Sequence, residues 1–237
     1  MELNPIPRGG TVSDIVFTRI VEEILTGRWP AGQPTPSERE LALAWQVNRH
    51  AVREALKRVK QAGLVQITQG DNTQVLDWRS HAGLDMLASL AAVGVIPPME
   101  ILADVAVMRR TIGVDAARRC ALNADEQQLA EVAAAAAAYP ESGDLFALRD
   151  ADLRLWTAII IGAGNLAYRL ALNTLVHSID DTGRELFIAV NSVEFIDRQA
   201  HLDLAAAITT RNADTAGQRA DALLSQLVDV FHPTTDH

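Results

Sequence analysis

The 237-residue chain has a single cysteine, Cys120. That excludes an internal disulfide framework and any multi-cysteine zinc or iron–sulfur site, and it suits a reducing compartment. Long apolar runs are also missing. The greasiest stretches, 86–96 and 155–161, fall short of the ~18–20 residues a membrane-spanning helix needs. The first ten residues show no apolar segment behind a basic head, so a cytoplasmic protein without membrane association is expected. Lysine is almost absent, with only Lys57 and Lys60. No nucleophile elbow, phosphate loop or paired-carboxylate signature is visible, and Gly162-Ala163-Gly164 lies between helical patterns, not after a strand. An enzyme is therefore not expected, and no catalytic residue is assigned. What is present is 49 % hydrophobic and 22 % charged residues, enough for one large or two modest domains with full cores.

The net charge of −9 taken whole argues against a polyanionic partner, but it hides an asymmetry. Residues 1–78 balance nine basic against nine acidic side chains, whereas residues 79–237 carry twelve against twenty-one. Between Arg39 and Lys60 there are six basic residues and only two acids, Glu40 and Glu54. This local excess is the footprint of a nucleic-acid contact.

Periodicity places helices at 14–26, 38–45 and 49–62. Ser37-Glu38-Arg39-Glu40 reads as a capping box for the second, Asn48 caps the third, and Gly63 ends it. Short alternating runs at 64–69 and 73–76, joined by Gly70-Asp71-Asn72, read as a hairpin. Three helices and a β-hairpin make a winged helix-turn-helix domain, assigned to residues 10–78. From there to the end the pattern is helical, at 81–94, 99–122, 124–139, 144–161, 166–187, 193–211 and 213–231, with no strand and no internal repeat. The alanine run 133–138 favours packed helix. The fold class is thus mostly α: the winged domain plus an all-α helical bundle over residues 79–237.

Reading a major groove requires a helix whose exposed face offers bidentate donors. Arg49 and Arg53 lie four apart, on one face and opposite Val52, Leu56 and Val59. Arg39, near the start of the preceding helix, reaches the same groove or its rim. Lys57, Arg58 and Lys60 suit phosphate contacts. A helical adaptor that does not bind DNA is the competing class.

Pro36-Ser37-Glu38-Arg39-Glu40-Leu41-Ala42, Val47-Asn48-Arg49-His50-Ala51-Val52-Arg53-Glu54-Ala55-Leu56, Gly63-Leu64-Val65 and the Gly70 turn resemble the DNA-binding domain of GntR-family transcription regulators. The resemblance implies a homodimer reading a short palindromic operator in double-stranded DNA, with Gln69 and Gly70 of the wing in the minor groove. Candidate DNA-contacting residues are Arg39, Asn48, Arg49, His50, Arg53, Gln69, Gly70 and Thr73. Asn48 and His50 stand where small hydroxyl residues are common, and Asp71 puts an acid in the wing.

Trp78, Gly83-Leu84-Asp85-Met86-Leu87, Leu90-Ala91, Val107-Met108-Arg109, Asp152, Gly164-Asn165 and Leu172-Asn173 resemble the helical effector domain of the FadR subfamily. Many relatives hold a divalent metal there with one Asp and three His. Here Asp152 and His201 match, but Trp156 and Ala222, Leu223 and Leu224 replace the other histidines, so neither a metal nor another cofactor is expected. The implied effector is acyl-CoA or a fatty acid, with an organic acid, metal-assisted or not, as the alternative. The apolar tract around Trp156, Ile159, Ile160 and Ile161 favours an acyl chain. The closing helix 224–231, which lacks the Gly-, Glu- and Trp-bearing segment of the subfamily, argues against one. Candidate effector-binding residues are Arg109, Asp152, Trp156, Asn173, His177 and His201. Arg109, on a mostly apolar helix, is either an anchor for an acid group or the partner of Asp104, Asp150 or Asp152.

Overall fold

The computed structural model describes residues 11–67, 73–182 and 192–231. They fall into two compact units, Met1–Pro97 and Pro98–His237.

In the first unit, helix α1 (Val12–Leu25) starts two residues before the expected position. Thr11 accepts from the Asp14 amide while the Asp14 carboxylate takes the Thr11 N–H, a capping box that satisfies two otherwise orphaned donors. Helix α2 (Glu38–Ala44) begins at the predicted box between Ser37 and Glu40. Helix α3 (Arg49–Gln61) begins with the Asn48 side chain accepting from the Ala51 amide at 2.7 Å. Val52, Ala55 and Val59 of α3 are fully buried where the helix packs on α1 and α2. Between α2 and α3, Gln46 takes a left-handed φ of 54°, and the Val47 amide returns to the Ala42 carbonyl. That sharp turn sets the angle of α3.

Helix α3 ends in a Schellman motif, with the Gly63 and Leu64 amides reaching the Lys60 and Val59 carbonyls. Gly63 is required twice over: its φ is +72°, and a Cβ there would collide with the His81 carbonyl oxygen. The chain then enters the hairpin, β1 (Val65–Ile67) antiparallel to β2 (Thr73–Val75), with Val65 opposite Val75. Residues 32–35 line the outer edge of β2 through the Gly32, Thr35 and Val75 amides, which the periodicity did not reveal. The expected helix 81–94 is instead three short pieces: α4 (Trp78–His81), a 3₁₀ turn (Leu84–Met86) and α5 (Leu87–Val93). Gly83, in extended backbone, separates the first two, and α5 packs on α1.

The second unit is helical throughout its described residues. Its central helix is α6 (Pro98–Asn123), with proline at its first position, where the missing N–H is no loss. Around it are α7 (Glu126–Ala137), α8 (Leu145–Gly162), α9 (Leu166–Thr182), α10 (Ser192–Ile196), α11 (Arg198–Thr209) and α12 (Ala213–Phe231). Helix α6 packs on α8, α11 and α12, and α7 packs on α8 and α11. The contacts are close because the facing residues are small. Ala116, Ala117, Cys120 and Ala121 are wholly buried, and Gly162 lies against Cys120 with no room for a side chain. Burial pushes the Cys120 thiol up to about 11, so it packs as an inert apolar group.

The expected single helix 193–211 is broken. Asp197 leaves helical geometry (φ −81°, ψ 65°) and caps α11, accepting from the Ala200 amide at 3.0 Å. Its other carboxylate oxygen accepts from the Gln226 amide group of α12 at 3.0 Å. Of the expected helix 166–187, residues up to Thr182 are helical, and the rest lies outside the described residues.

Candidate functional site

Two sites emerge, one in each unit. On α3 the buried stripe faces α1 and α2, leaving Arg49, His50, Arg53, Lys57 and Lys60 exposed. Arg39 is exposed in the first turn of α2. Three cations of the basic cluster already have partners. Arg53 makes a bidentate contact with Glu38 of α2 at 3.0–3.2 Å, Lys57 bonds Glu54, and Arg58 bonds Asp14 at 2.7 Å while lying over the Phe17 ring. Arg39, Arg49 and Lys60 make no ion pair among the described residues. The Asn48 oxygen is committed to its cap. Thr73 sits at the root of the wing, its carbonyl accepting from Thr35. Gln69 and Gly70 lie outside the described residues. Glu38, which holds Arg53, escaped the sequence reading because the capping box accounted only for Glu40.

The second site is a cavity among α6, α8, α9, α10 and α12. Ile112, Leu153, Trp156, Ile160, Leu172, Leu175, Val176 and Leu224 give it a largely apolar wall, with Arg109, Arg149, Asp152 and Tyr168 as its polar members.

Arg109 does not stand alone beside this cavity. Its guanidinium donates to both oxygens of Glu194, at 2.9 and 3.2 Å, and lies 3.9 Å from Asp152. Asp152 is one of the three acids that the sequence offers as its partner. Glu194, from α10, was not foreseen: it is 1 % exposed, and only a charged partner permits an acid so deep. Next to them His201, fully buried, lies with Nδ1 2.8 Å from the Asp197 carbonyl and Nε2 3.1 Å from Asp152 Oδ1. Both ring nitrogens face acceptors, an arrangement suited to the imidazolium. Tyr139 stacks on its ring and donates to the Phe195 carbonyl at 2.8 Å.

Burial opposes charge on His201. The Asp152 hydrogen bond and charge, helped by the Asp197 carbonyl and Glu194, outweigh it and raise the histidine above its ordinary 6.5. For Arg109 burial likewise works against the cation, and Glu194 and Asp152 hold it charged. Burial pushes Glu194 up, against the pull of Arg109, and the charge of Asp152 adds to the rise. Arg109 and His201 as donors face Asp152 and Glu194 as acceptors, so the four side chains form one linked polar group.

A resident metal does not fit this arrangement. Among the described residues no three His, Cys, Asp or Glu side chains converge on one point. Asp152 and His201 face each other, and the indole of Trp156, one turn beyond Asp152, offers no lone pair. The Trp156 N–H itself is buried without an acceptor among the described residues. Asn173 is half-buried on α9, and the side chain of His177 lies outside the described residues.

A helix-turn-helix with a wing, presenting exposed arginines, in one chain with a helical unit that has an apolar cavity, defines a DNA-binding transcription regulator with an effector domain. Two family models match the chain: "Bacterial regulatory proteins, gntR family" over residues 13–75 and "FCD domain" over residues 104–226. The chain belongs to the GntR family. It is 52 % identical over 90 residues to the HTH-type transcriptional regulator Mce2R of Mycobacterium tuberculosis, a match spanning 38 % of this chain and 37 % of that protein. The fatty acid metabolism regulator protein of Edwardsiella ictaluri is 31 % identical over 168 residues, 71 % of this chain and 69 % of its own length. The Salmonella newport protein of the same name is 30 % identical over 168 residues. Among the described residues no helix is long and apolar enough to cross a membrane.

Proposed function

We propose that this regulator binds a palindromic operator as a homodimer and releases it in response to a fatty acyl effector, either acyl-CoA or the free acid. DNA recognition is assigned to residues 10–78 and effector recognition to residues 79–237. The observation that carries the DNA reading is the exposed Arg49 at the first turn of α3, which makes no ion pair among the described residues and whose opposite face is locked into the core. Arg53 and His50 share its helix, and Arg39 lies on the adjoining one. Arg39 and Arg49 make base or phosphate contacts, and Arg53 exchanges Glu38 for DNA or stays as the brace between α2 and α3. One short helix in one groove gives little affinity, which is why two copies on half-sites about one helical turn apart are expected.

The apolar wall of the cavity supports an aliphatic chain as effector, and the name of the Edwardsiella relative agrees with that chemistry. A small organic acid is the second reading, favoured by Arg109 and Arg149 at the polar end. Asn173, His177 and His201 belong to the proposed surroundings of the ligand. The test is operator binding by mobility shift with decanoate, decanoyl-CoA and citrate added in turn, alongside mass spectrometry of co-purifying small molecules. Release by the ten-carbon compounds supports the acyl reading, and release by citrate alone replaces it. A ligand works as a switch only through unequal affinity for the two states. The free protein must therefore bind the probe more tightly than the DNA complex does.

A further inference from the structure

The polar end of the cavity poses a problem for an acid-bearing ligand. Arg109 is the obvious cation, yet two carboxylates already hold it, and Asp152 is shared with His201. One polar atom of a residue that lines the cavity is buried without a partner among the described residues. Trp156 is 5 % exposed, its ring forms part of the wall, and its Nε1–H has no acceptor among the described residues. A buried donor left unpaired is unfavourable and rare in native proteins. Phenylalanine would supply an aromatic ring without that penalty.

The orientation of the ring follows from Gly113. A Cβ on Gly113 would stand 3.3 Å from Trp156 Cη2 and Cζ3 and would strike Leu224. The bare backbone of α6 thus receives the outer edge of the six-membered ring. In an indole that edge lies opposite the five-membered ring, so the N–H is turned away from α6. The same residue is one helical turn beyond Asp152 and on the same face of α8.

We propose that Trp156 is the specificity-determining donor of the effector site, and that its Nε1–H bonds an oxygen at the polar end of an aliphatic ligand. Arg109 then acts as a positioning residue that fixes α6, α8 and α10 around that oxygen. The inference rests on the acyl reading above. The shared chemistry is an acceptor oxygen on an alkyl chain, whether a carboxylate or a thioester carbonyl.

The experiment measures the Kd values of decanoate, decanoyl-CoA and the oxygen-free dye N-phenyl-1-naphthylamine for the full-length protein and for Trp156→Phe. In the variant, the Kd of the oxygen-bearing probe that binds is expected to rise about tenfold relative to that of the dye, the usual scale for one lost hydrogen bond in a dry site. In parallel, the indole ¹⁵N–¹H resonance of Trp156 in the unmodified protein should move downfield when that probe saturates the site. The four tryptophans, Trp29, Trp45, Trp78 and Trp156, give four such resonances. Phe variants of the other three assign Trp156 by elimination even if Trp156→Phe fails to fold. Bound probe with an unchanged Kd ratio, or with an unmoved Trp156 resonance, overturns the assignment alone, as it would if water served the N–H. Dye binding without binding of either ten-carbon probe overturns the acyl reading, and this inference with it.

Discussion

The two units treat charge in opposite ways. The first keeps its cations in water: Arg39, Arg49 and Lys60 are exposed, and even the paired Arg53, Lys57 and Arg58 are near half exposed or more. The second takes Glu194, Asp152 and His201 almost wholly out of solvent, with Arg109 only 17 % exposed beside them. Exposed charges contribute little to stability and are available to a partner from outside. Buried charges are committed to one another, and removing one leaves its counterpart stranded. Mutations in the first unit should therefore change binding with little effect on folding, and mutations of the buried group should do the reverse.

The largest effect is expected at the buried group. Arg109→Ala or Glu194→Ala should destabilise the second unit by about 3–5 kcal/mol, lowering its Tm by on the order of 10 °C in a thermal melt. The double change Arg109→Met/Glu194→Leu should recover most of that loss, since no unpaired charge remains. A stable Arg109→Ala protein that has lost only its response to effector would break the comparison and make Arg109 a ligand anchor.

Arg49→Ala comes next. It should weaken operator binding by about 1–3 kcal/mol and relax sequence preference, with the Tm unmoved. Lys60→Ala should cost less, uniformly across sequences, and flatten the salt dependence, which titrations at several salt concentrations would read. Equal loss of sequence preference in both would refute the division of roles.

A smaller change, about 1 kcal/mol of stability, is expected for Ser37→Ala, which removes the box that starts α2. Denaturant midpoints would measure it.

The subtlest effect is in pH. His201 has its pKa raised in the folded state above the ordinary 6.5, so its contribution is fully present below 6.5 and is lost as pH rises through the folded value. Glu194, raised above 4.5, acts in the same direction. The Tm of the second unit should decline as pH increases from 6.5, and His201→Phe should flatten that slope.

Much of the first unit could be read directly, because its determinants are local. Ser37 and Glu40 three apart, Asn48 before a basic amphipathic run, and Gly63 after it each specify a boundary through backbone geometry. The start of α1 is less legible because Thr11-x-x-Asp14 is the same device in a less familiar spelling. The second unit hid more. Residues 193–211 carry a continuous helical pattern, and Asp197 looks like one more surface acid. Its role as a cap depends on Gln226 of α12, which no local pattern reports. In an unbroken helix Glu194 and His201 would stand roughly 10 Å apart along the axis. The break lets Glu194 reach Arg109 while His201 reaches Asp152, so a continuous helical pattern conceals Glu194. An acid followed at once by Phe195, in an otherwise apolar stretch, was the available signal.

The scarcity of lysine has a practical consequence for chemistry on this protein. Lys57 and Lys60 are the only side-chain amines in the chain, and both project from the exposed part of α3. Apart from the terminal amine, any acetylating, cross-linking or fluorescent amine reagent is directed to that one helix. Labelling in the presence and absence of duplex DNA therefore becomes a footprint of α3 without engineering a single residue, and a fluorophore installed there would report occupancy of the groove while leaving the second unit chemically untouched.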